Sequence, residues 1–272
     1  MRKFLQHLNF TLTERTRDKH IIKPNKGGIG GEILNPIAHL LLVTASPLQR
    51  FIDKPAVTHA FCNMQALQIL SRDAVIPCTD FFSTYLKEIN RGGYWADSQW
   101  KNIDHYLEPN TGRGIWPFGN ALDTFQQYFS CALKEARQGN RRKAAFFLGA
   151  AAHLVQDMCV PHHARGRMFN GHQDYESWAM KACQDYAVGS RGIYLQSARI
   201  AEFIVKNARV AANLLDAVDT DKGINDYAGI TAITLPLAQR STAGLFEHFH
   251  RVALAPYSFA SQPLTPITAI VA

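Results

Sequence analysis

The chemistry in this sequence is concentrated in two histidine–carboxylate pairs. His153 and Asp157 stand four residues apart, and His172 and Glu176 repeat that spacing. In a helix both members of such a pair leave the same face. Between the pairs lies Pro161-His162-His163, where the proline forces a turn that can carry a third imidazole toward the same space. Imidazole nitrogen and carboxylate oxygen suit zinc, and two ligands one helical turn apart can grip one ion with little reorganisation. One such pair alone is usually a solvated feature of a helix face. Two of them flanking another histidine within 24 residues point to a metal site.

The surroundings of the first pair sharpen this. Ala144, Ala145, Ala150, Ala151 and Ala152 mark a tightly packed, central helix. On such a helix His153 and Asp157 are buried, and buried ionisable groups need partners or a metal. Six of the eleven histidines are His59, His105, His153, His162, His163 and His172. His248 and His250 are two apart, so they diverge on a helix and need no ligand role. Cys159 reads as a small core residue rather than a ligand. The five cysteines (Cys62, Cys78, Cys131, Cys159, Cys183) contain no C-x-x-C, so neither a disulfide framework nor a zinc ribbon is indicated.

Helical periodicity dominates the elements that must position these groups. Phe82, Tyr85, Leu86 and Ile89 form one stripe, with Gly92-Gly93 as its expected stop. Leu122, Phe125, Phe129, Ala132 and Ala136 form the next, ended by Gly139. Arg141 to Met158 follows, closed by Pro161, and then Tyr175, Trp178, Ala179, Ala182 and Tyr186 before Gly189. Two longer stripes run from Ile200 through Phe203, Ile204, Ala208, Ala211 and Leu215 to Val218, and from Ala238 through Leu245, Phe246 and Phe249 to Val252. Strand-like alternation is scarce. The expected fold is all-α, a single multi-helix domain over residues 51–255, with a tail at 256–272.

Composition narrows the classes. The 272 residues are 47% hydrophobic and 19% charged, which argues against wholesale disorder. With no run of eighteen apolar residues, a membrane-spanning helix is not expected. Of the net charge of +7, residues 1–30 carry +5, so the body is nearly neutral and nucleic acid is not an expected partner. The glycines of Gly27-Gly28-Ile29-Gly30-Gly31 lack the Lys-Ser/Thr of a phosphate loop. Residues 1–50 run from basic to apolar. Two readings stay open there, a leader that directs a secreted or periplasmic protein and an N-terminal arm with a short packed helix.

The stretch from Phe146 to Trp178, FFLGAAAHLVQDMCVPHHARGRMFNGHQDYESW, resembles the signature of the bacterial zinc-dependent phospholipases C. That signature reads H-x-x-x-D, P-x-H, H-x-x-x-E, and the match falls on His153, Asp157, Pro161, His163, His172 and Glu176. It selects His163 over His162. Upstream, Val57-Thr58-His59-Ala60-Phe61, Gly93-Tyr94-Trp95-Ala96-Asp97 and the stretch from Asp104 to Gly112 are similar to further family elements, in the family's order.

The resemblance implies a three-zinc cluster: Asp97, His105, His153 and Asp157 around one ion, His163, His172 and Glu176 around a second, and His59 with Asp157 at a third. It further implies phospholipase C activity through zinc-activated water, with Asp97 as general base, a phospholipid surface as partner and a monomeric protein. Two alternatives accompany it, a zinc nuclease of the related S1/P1 type and an inactive zinc-binding relative. Glu176 favours the phospholipase branch, since the nucleases typically carry Asp there. The sequence departs from the family where the third zinc is completed by an N-terminal Trp, because no Trp precedes His59. Three readings stay open there: processing that creates a different N-terminus, substitution by Asp53, or a weak or empty third site that leaves two zincs. Ser98 and Asn102 stand where some relatives hold a choline headgroup with aromatic rings, so the headgroup is left open. Gly114-Ile115-Trp116-Pro117-Phe118 is the candidate for lipid contact, with ordinary packing as its alternative.

Overall fold

In the computed structural model the described residues are 57–74, 79–98, 101–115, 119–169, 171–195, 199–219 and 225–255. Helices α1 (Val57–Arg72), α2 (Thr79–Thr84) and α3 (Leu86–Ala96) lead into a short 3-10 turn, Lys101–Asp104. Then come α4 (Ala121–Arg137), α5 (Arg141–Asp157), the one-turn α6 (Pro161–Ala164) and α7 (His172–Ala182). Last are α8 (Ala201–Ala212) and the long α9 (Tyr227–Phe249), which continues as a π-helical turn at His250–Leu254. An isolated bridge between Glu108 and Arg113 is the extent of β pairing among the described residues.

The alanine-rich α5 is the axis of this arrangement, as its composition implies. Ala144, Ala145, Leu148, Ala150, Ala151, Ala152, Leu154 and Val155 are all buried, and α5 packs most extensively on α3 and α4. Phe125 and Phe129 of α4, Phe203 and Ile204 of α8 and Phe246 and Phe249 of α9 close the core around it. Helix starts follow capping chemistry. The Asn120 side chain accepts from the Asp123 N–H at 2.9 Å to open α4, and Asp226 accepts from the Gly229 N–H at 2.9 Å to open α9.

Four sequence expectations are corrected. Gly92-Gly93 does not stop a helix; both lie inside α3. The reason is tertiary: a Cβ on Gly92 would overlap the Phe146 carbonyl, and one on Gly149 would overlap the Ile89 carbonyl, so glycine lets the α3 and α5 backbones touch. The stripe from Phe82 to Ile89 is divided at Tyr85, whose φ of −108° and ψ of 19° separate α2 from α3. Val252, expected on the buried stripe of α9, is 41% exposed because the π-helical turn shifts the register after Phe249. Trp178 is only half-buried, resting against the rings of Tyr186 and Tyr227, each at 6.2 Å.

The basic segment 1–50, Asp53, Cys78, Trp100, Trp116-Pro117-Phe118 and the tail 256–272 lie outside the described residues. Among those described, no helix is long and apolar enough to cross a membrane.

Candidate metal centre

Six elements deliver the donor side chains. His153 and Asp157 occupy the last turns of α5, and both are almost fully buried. His59 lies in the first turn of α1, Asp97 caps the C-terminus of α3, and His105 follows the Lys101–Asp104 turn. Pro161, at the first position of α6, sets the turn that presents His163. His172 begins α7, with Glu176 one turn later.

The structure gathers these into three adjoining groups, His59 with His153 and Asp157, Asp97 with His105 and His153, and His163 with His172 and Glu176. In the middle, His105 Nδ1 and His153 Nε2 lie 2.9 and 3.1 Å from Asp157 Oδ2 and 3.2 Å from each other. Asp97 Oδ1 stands 3.8 Å from His153 Nε2, and His59 Nε2 stands 3.5 Å from Asp157 Oδ1. In the third group Glu176 Oε1 lies 2.9 Å from His172 Nε2 and 3.4 Å from His163 Nε2.

These separations suit zinc. Ligands on a tetrahedral ion with bonds of about 2.0–2.1 Å are about 3.3 Å apart. Asp157 Oδ2 is buried without a well-formed hydrogen bond, although two ring nitrogens lie within 3.1 Å of it, the close donor packing that a shared cation would satisfy. The donor set is all imidazole and carboxylate, which fits zinc and gives magnesium little to hold.

Electrostatics show what the pocket does to its own protons. Burial would raise the Asp157 carboxyl, but the imidazoles of His153 and His163 outweigh it and hold the group well below the usual range. Burial opposes ionisation of Glu176 too, and is overcome by His172 and His163, so that carboxyl is also depressed. Burial would lower His163, yet the carboxylates of Asp157 and Glu176 push it up to about 9. His153 moves up for the same reason, against burial, through Asp157. Burial wins at His59 and His105, which are lowered and stay neutral.

All eight residues singled out in the sequence thus meet in one region, whereas His162 joins none of the groups and stacks on His172 with centroids 5.0 Å apart. Cys159 is buried, its thiol directed at the Val155 carbonyl. His248 packs beside Phe129, with ring centroids 6.0 Å apart. Two contributors escaped the sequence reading. Tyr106 stacks flat on His163 at 4.6 Å. Gln156, buried beside Asp157, accepts from His59 Nδ1 at 2.8 Å. The amide between Val155 and Asp157 was the available signal for Gln156, and the aromatic position after His105 in the Asp104–Gly112 stretch was the one for Tyr106.

Residues 58–225, which span every donor, match the family model of the zinc-dependent phospholipases C. The chain belongs to that family. Similar proteins include the phospholipase C of Clostridium novyi, 27% identical over 175 residues, covering 54% of this chain and 44% of that protein. That of Clostridium perfringens type A is 23% identical over 231 residues, covering 71% and 58%. Among solved structures the alpha toxin from Clostridium absonum aligns with a TM-score of 0.66 at 21% identity, covering 74% of this chain and 66% of that one. This likeness shows the fold. The chain spans about half the length of the curated relatives it matches.

Proposed function

We propose that this zinc-dependent phospholipase C family member is a phosphodiester hydrolase that cleaves glycerophospholipid to diacylglycerol and a phosphorylated headgroup. One observation carries the reading: the donors converge in one pocket of mostly buried side chains whose two outer carboxylates stay open, the Asp97 side chain 40% and the Glu176 side chain 44% exposed. A substrate phosphate can therefore reach the groups without the protein unfolding around it.

His59, Asp97, His105, His153, Asp157, His163, His172 and Glu176 would hold zinc at three loci, two of them filled if the His59 locus stays empty. Zinc there supplies Lewis-acid chemistry, neutralising charge on phosphate oxygens and acidifying water. Asp97 takes the proton from the attacking water, since its carboxylate is both accessible and beside the donors. Tyr106, flat against His163, keeps that ring from tilting and excludes water behind it. No serine or cysteine nucleophile is required.

Lipid is favoured over nucleic acid by the loop joining His163 to His172. Its Phe169 is 75% exposed and Met168 38%, and Arg165 and Arg167 stand just before them. Apolar tips with adjacent cations suit a phospholipid surface. The test is purified protein, zinc-loaded or chelated, on mixed phospholipid vesicles and on single-stranded nucleic acid. Zinc-dependent release of phosphorylated headgroup is expected. Cleavage of nucleic acid alone would move the assignment to the nucleases, and zinc-dependent stability without turnover would make the protein an inactive relative.

A further inference from the structure

His59 meets the metal pocket at the end of a buried relay that decides where its proton sits. The Thr242 hydroxyl on α9 lies 2.7 Å from the Ala238 carbonyl. A carbonyl only accepts, so the single hydroxyl proton is committed there and Thr242 Oγ1 is left as an acceptor. The end of the Gln156 amide 3.0 Å from that oxygen must then be nitrogen, and the same nitrogen donates to Asn63 Oδ1 at 2.9 Å. Asn63 in turn donates to Asn90 Oδ1 at 2.9 Å.

The opposite end of the Gln156 amide, Oε1, faces His59 Nδ1 at 2.8 Å and can only accept. Nδ1 therefore carries a proton, and in the neutral ring Nε2 is bare. That bare nitrogen looks at Asp157 Oδ1 across 3.5 Å, beside the His153 ring at 4.0 Å. A lone pair facing a carboxylate calls for a cation between them. Thr242, Gln156 and Asn63 are all buried, so water cannot substitute for a missing link.

We infer that Gln156, oriented by Thr242, is the positioning residue that holds His59 in its Nδ1–H form and so makes His59 Nε2 a zinc ligand beside Asp157. The inference rests on the reading of the pocket as a zinc centre, not on which phosphodiester is cleaved. It supplies a protein-internal basis for the His59 locus that draws on no tryptophan.

The test needs no substrate. Long-range proton–nitrogen correlation spectra of the metal-free full chain, labelled at histidine nitrogens, read each tautomer directly. His59 should show a protonated Nδ1 and a bare Nε2. Gln156→Leu and Thr242→Val should each mix the tautomers and weaken one zinc about 10- to 100-fold in chelator competition, leaving the rest bound. Thr242→Ser, which keeps the hydroxyl, should restore both. If Gln156→Leu does not fold, the wild-type spectrum and the Thr242 variants decide. A proton on His59 Nε2 in the wild type, or unchanged zinc affinity in both Gln156→Leu and Thr242→Val, would overturn the inference. Shifted tautomers and weakened zinc in a protein that hydrolyses no lipid would support it while removing the proposed reaction.

Discussion

The His163 ring donates through Nδ1 to the backbone carbonyl of His105 at 2.8 Å. The partners are far apart in sequence, and the bond joins two of the three donor groups. A carbonyl cannot donate, so it also settles the ring's orientation: Nε2 is turned toward Glu176. The Leu107 N–H returns a bond to the His163 carbonyl at 3.1 Å, so α6 and the segment after the Lys101–Asp104 turn are clamped together. Donor spacing is thereby set by main chain as well as by side chains.

That arrangement predicts how protons and zinc compete. Without metal, Asp157 and Glu176 hold His163 at about 9, well above the 6.5 of an unfolded histidine. A folded value above the unfolded one stabilises the protein fully below about 6.5, and that contribution disappears as pH rises through about 9. His153, raised as well, acts with the same sign. The metal-free protein should therefore lose stability between pH 6.5 and 9, while zinc affinity rises over the same window because fewer protons must be displaced. Calorimetric zinc titration at pH 7 in buffers of different ionisation enthalpy should show proton release. No release at pH 7 would contradict the charge state assigned to His163.

Packing gives a second prediction. Gly149→Ala drives a methyl group into the Ile89 carbonyl, and neither backbone can retreat without moving α3 against α5. The expected cost is about 3 kcal/mol, the upper end for overpacking, read as a lower urea midpoint with an unchanged slope. Gly93→Ala is the control, since its Cβ would find the nearest atoms at 3.6 and 3.8 Å and should shift stability by less than about 1 kcal/mol. Equal losses in the two variants would mean that the glycines serve flexibility rather than close approach.

Those glycines also mark the boundary of what the sequence makes legible. The stripes of α4, α5 and α8 and the two histidine–carboxylate pairs are local patterns, and local spacing locates them. Gly92 was misread because its reason lies on another helix, at Phe146. The division at Tyr85 and the π-helical turn that exposes Val252 are likewise set by tertiary packing. Asp97, His105 and His59 were reached through family resemblance, since no pair spacing on one helix links them to His153. The Gln156 relay joins α1, α3, α5 and α9, and no one-dimensional pattern encodes such a contact.

Asp97→Asn separates zinc binding from proton transfer. The Asp97 backbone N–H still donates to the Gly93 carbonyl at 3.2 Å, so the end of α3 is retained in the variant. The side-chain amide cannot accept the proton of the attacking water. With zinc in excess, so that the locus Asp97 helps to hold stays filled, the expected outcome is a fall in kcat of about 10²- to 10⁴-fold with KM nearly unchanged. Full activity in a normally metallated variant would remove Asp97 from the proposed role.

Removing zinc should cost both stability and activity. Chelation leaves mutually facing donors with no ion to share, and a ligand present at about 1,000 times its Kd stabilises by about 4 kcal/mol. The melting temperature should drop on chelation and recover with Zn²⁺ but not with Mg²⁺, which prefers oxygen ligands and keeps its waters. Recovery with Mg²⁺ would be at odds with a centre built on five imidazoles.

The loop after α6 offers the clearest separation of surface binding from chemistry. Its base is fixed by the Arg167 N–H donating to the His162 carbonyl at 2.9 Å, and Gly166 turns the chain at a φ of +61°. Phe169→Ala therefore removes an exposed ring without disturbing the donors on either side. Burying a phenylalanine in an apolar phase is worth roughly 1.5–3 kcal/mol, so vesicle affinity should fall about tenfold or more. Hydrolysis of a monomeric short-chain phospholipid should be unchanged, because the ring is not part of the pocket. Arg167→Gln should act only on anionic vesicles and only at low salt, as expected of an exposed charge. Wild-type rates on vesicles for Phe169→Ala would place the lipid contact elsewhere on the molecule while leaving the metal centre as described.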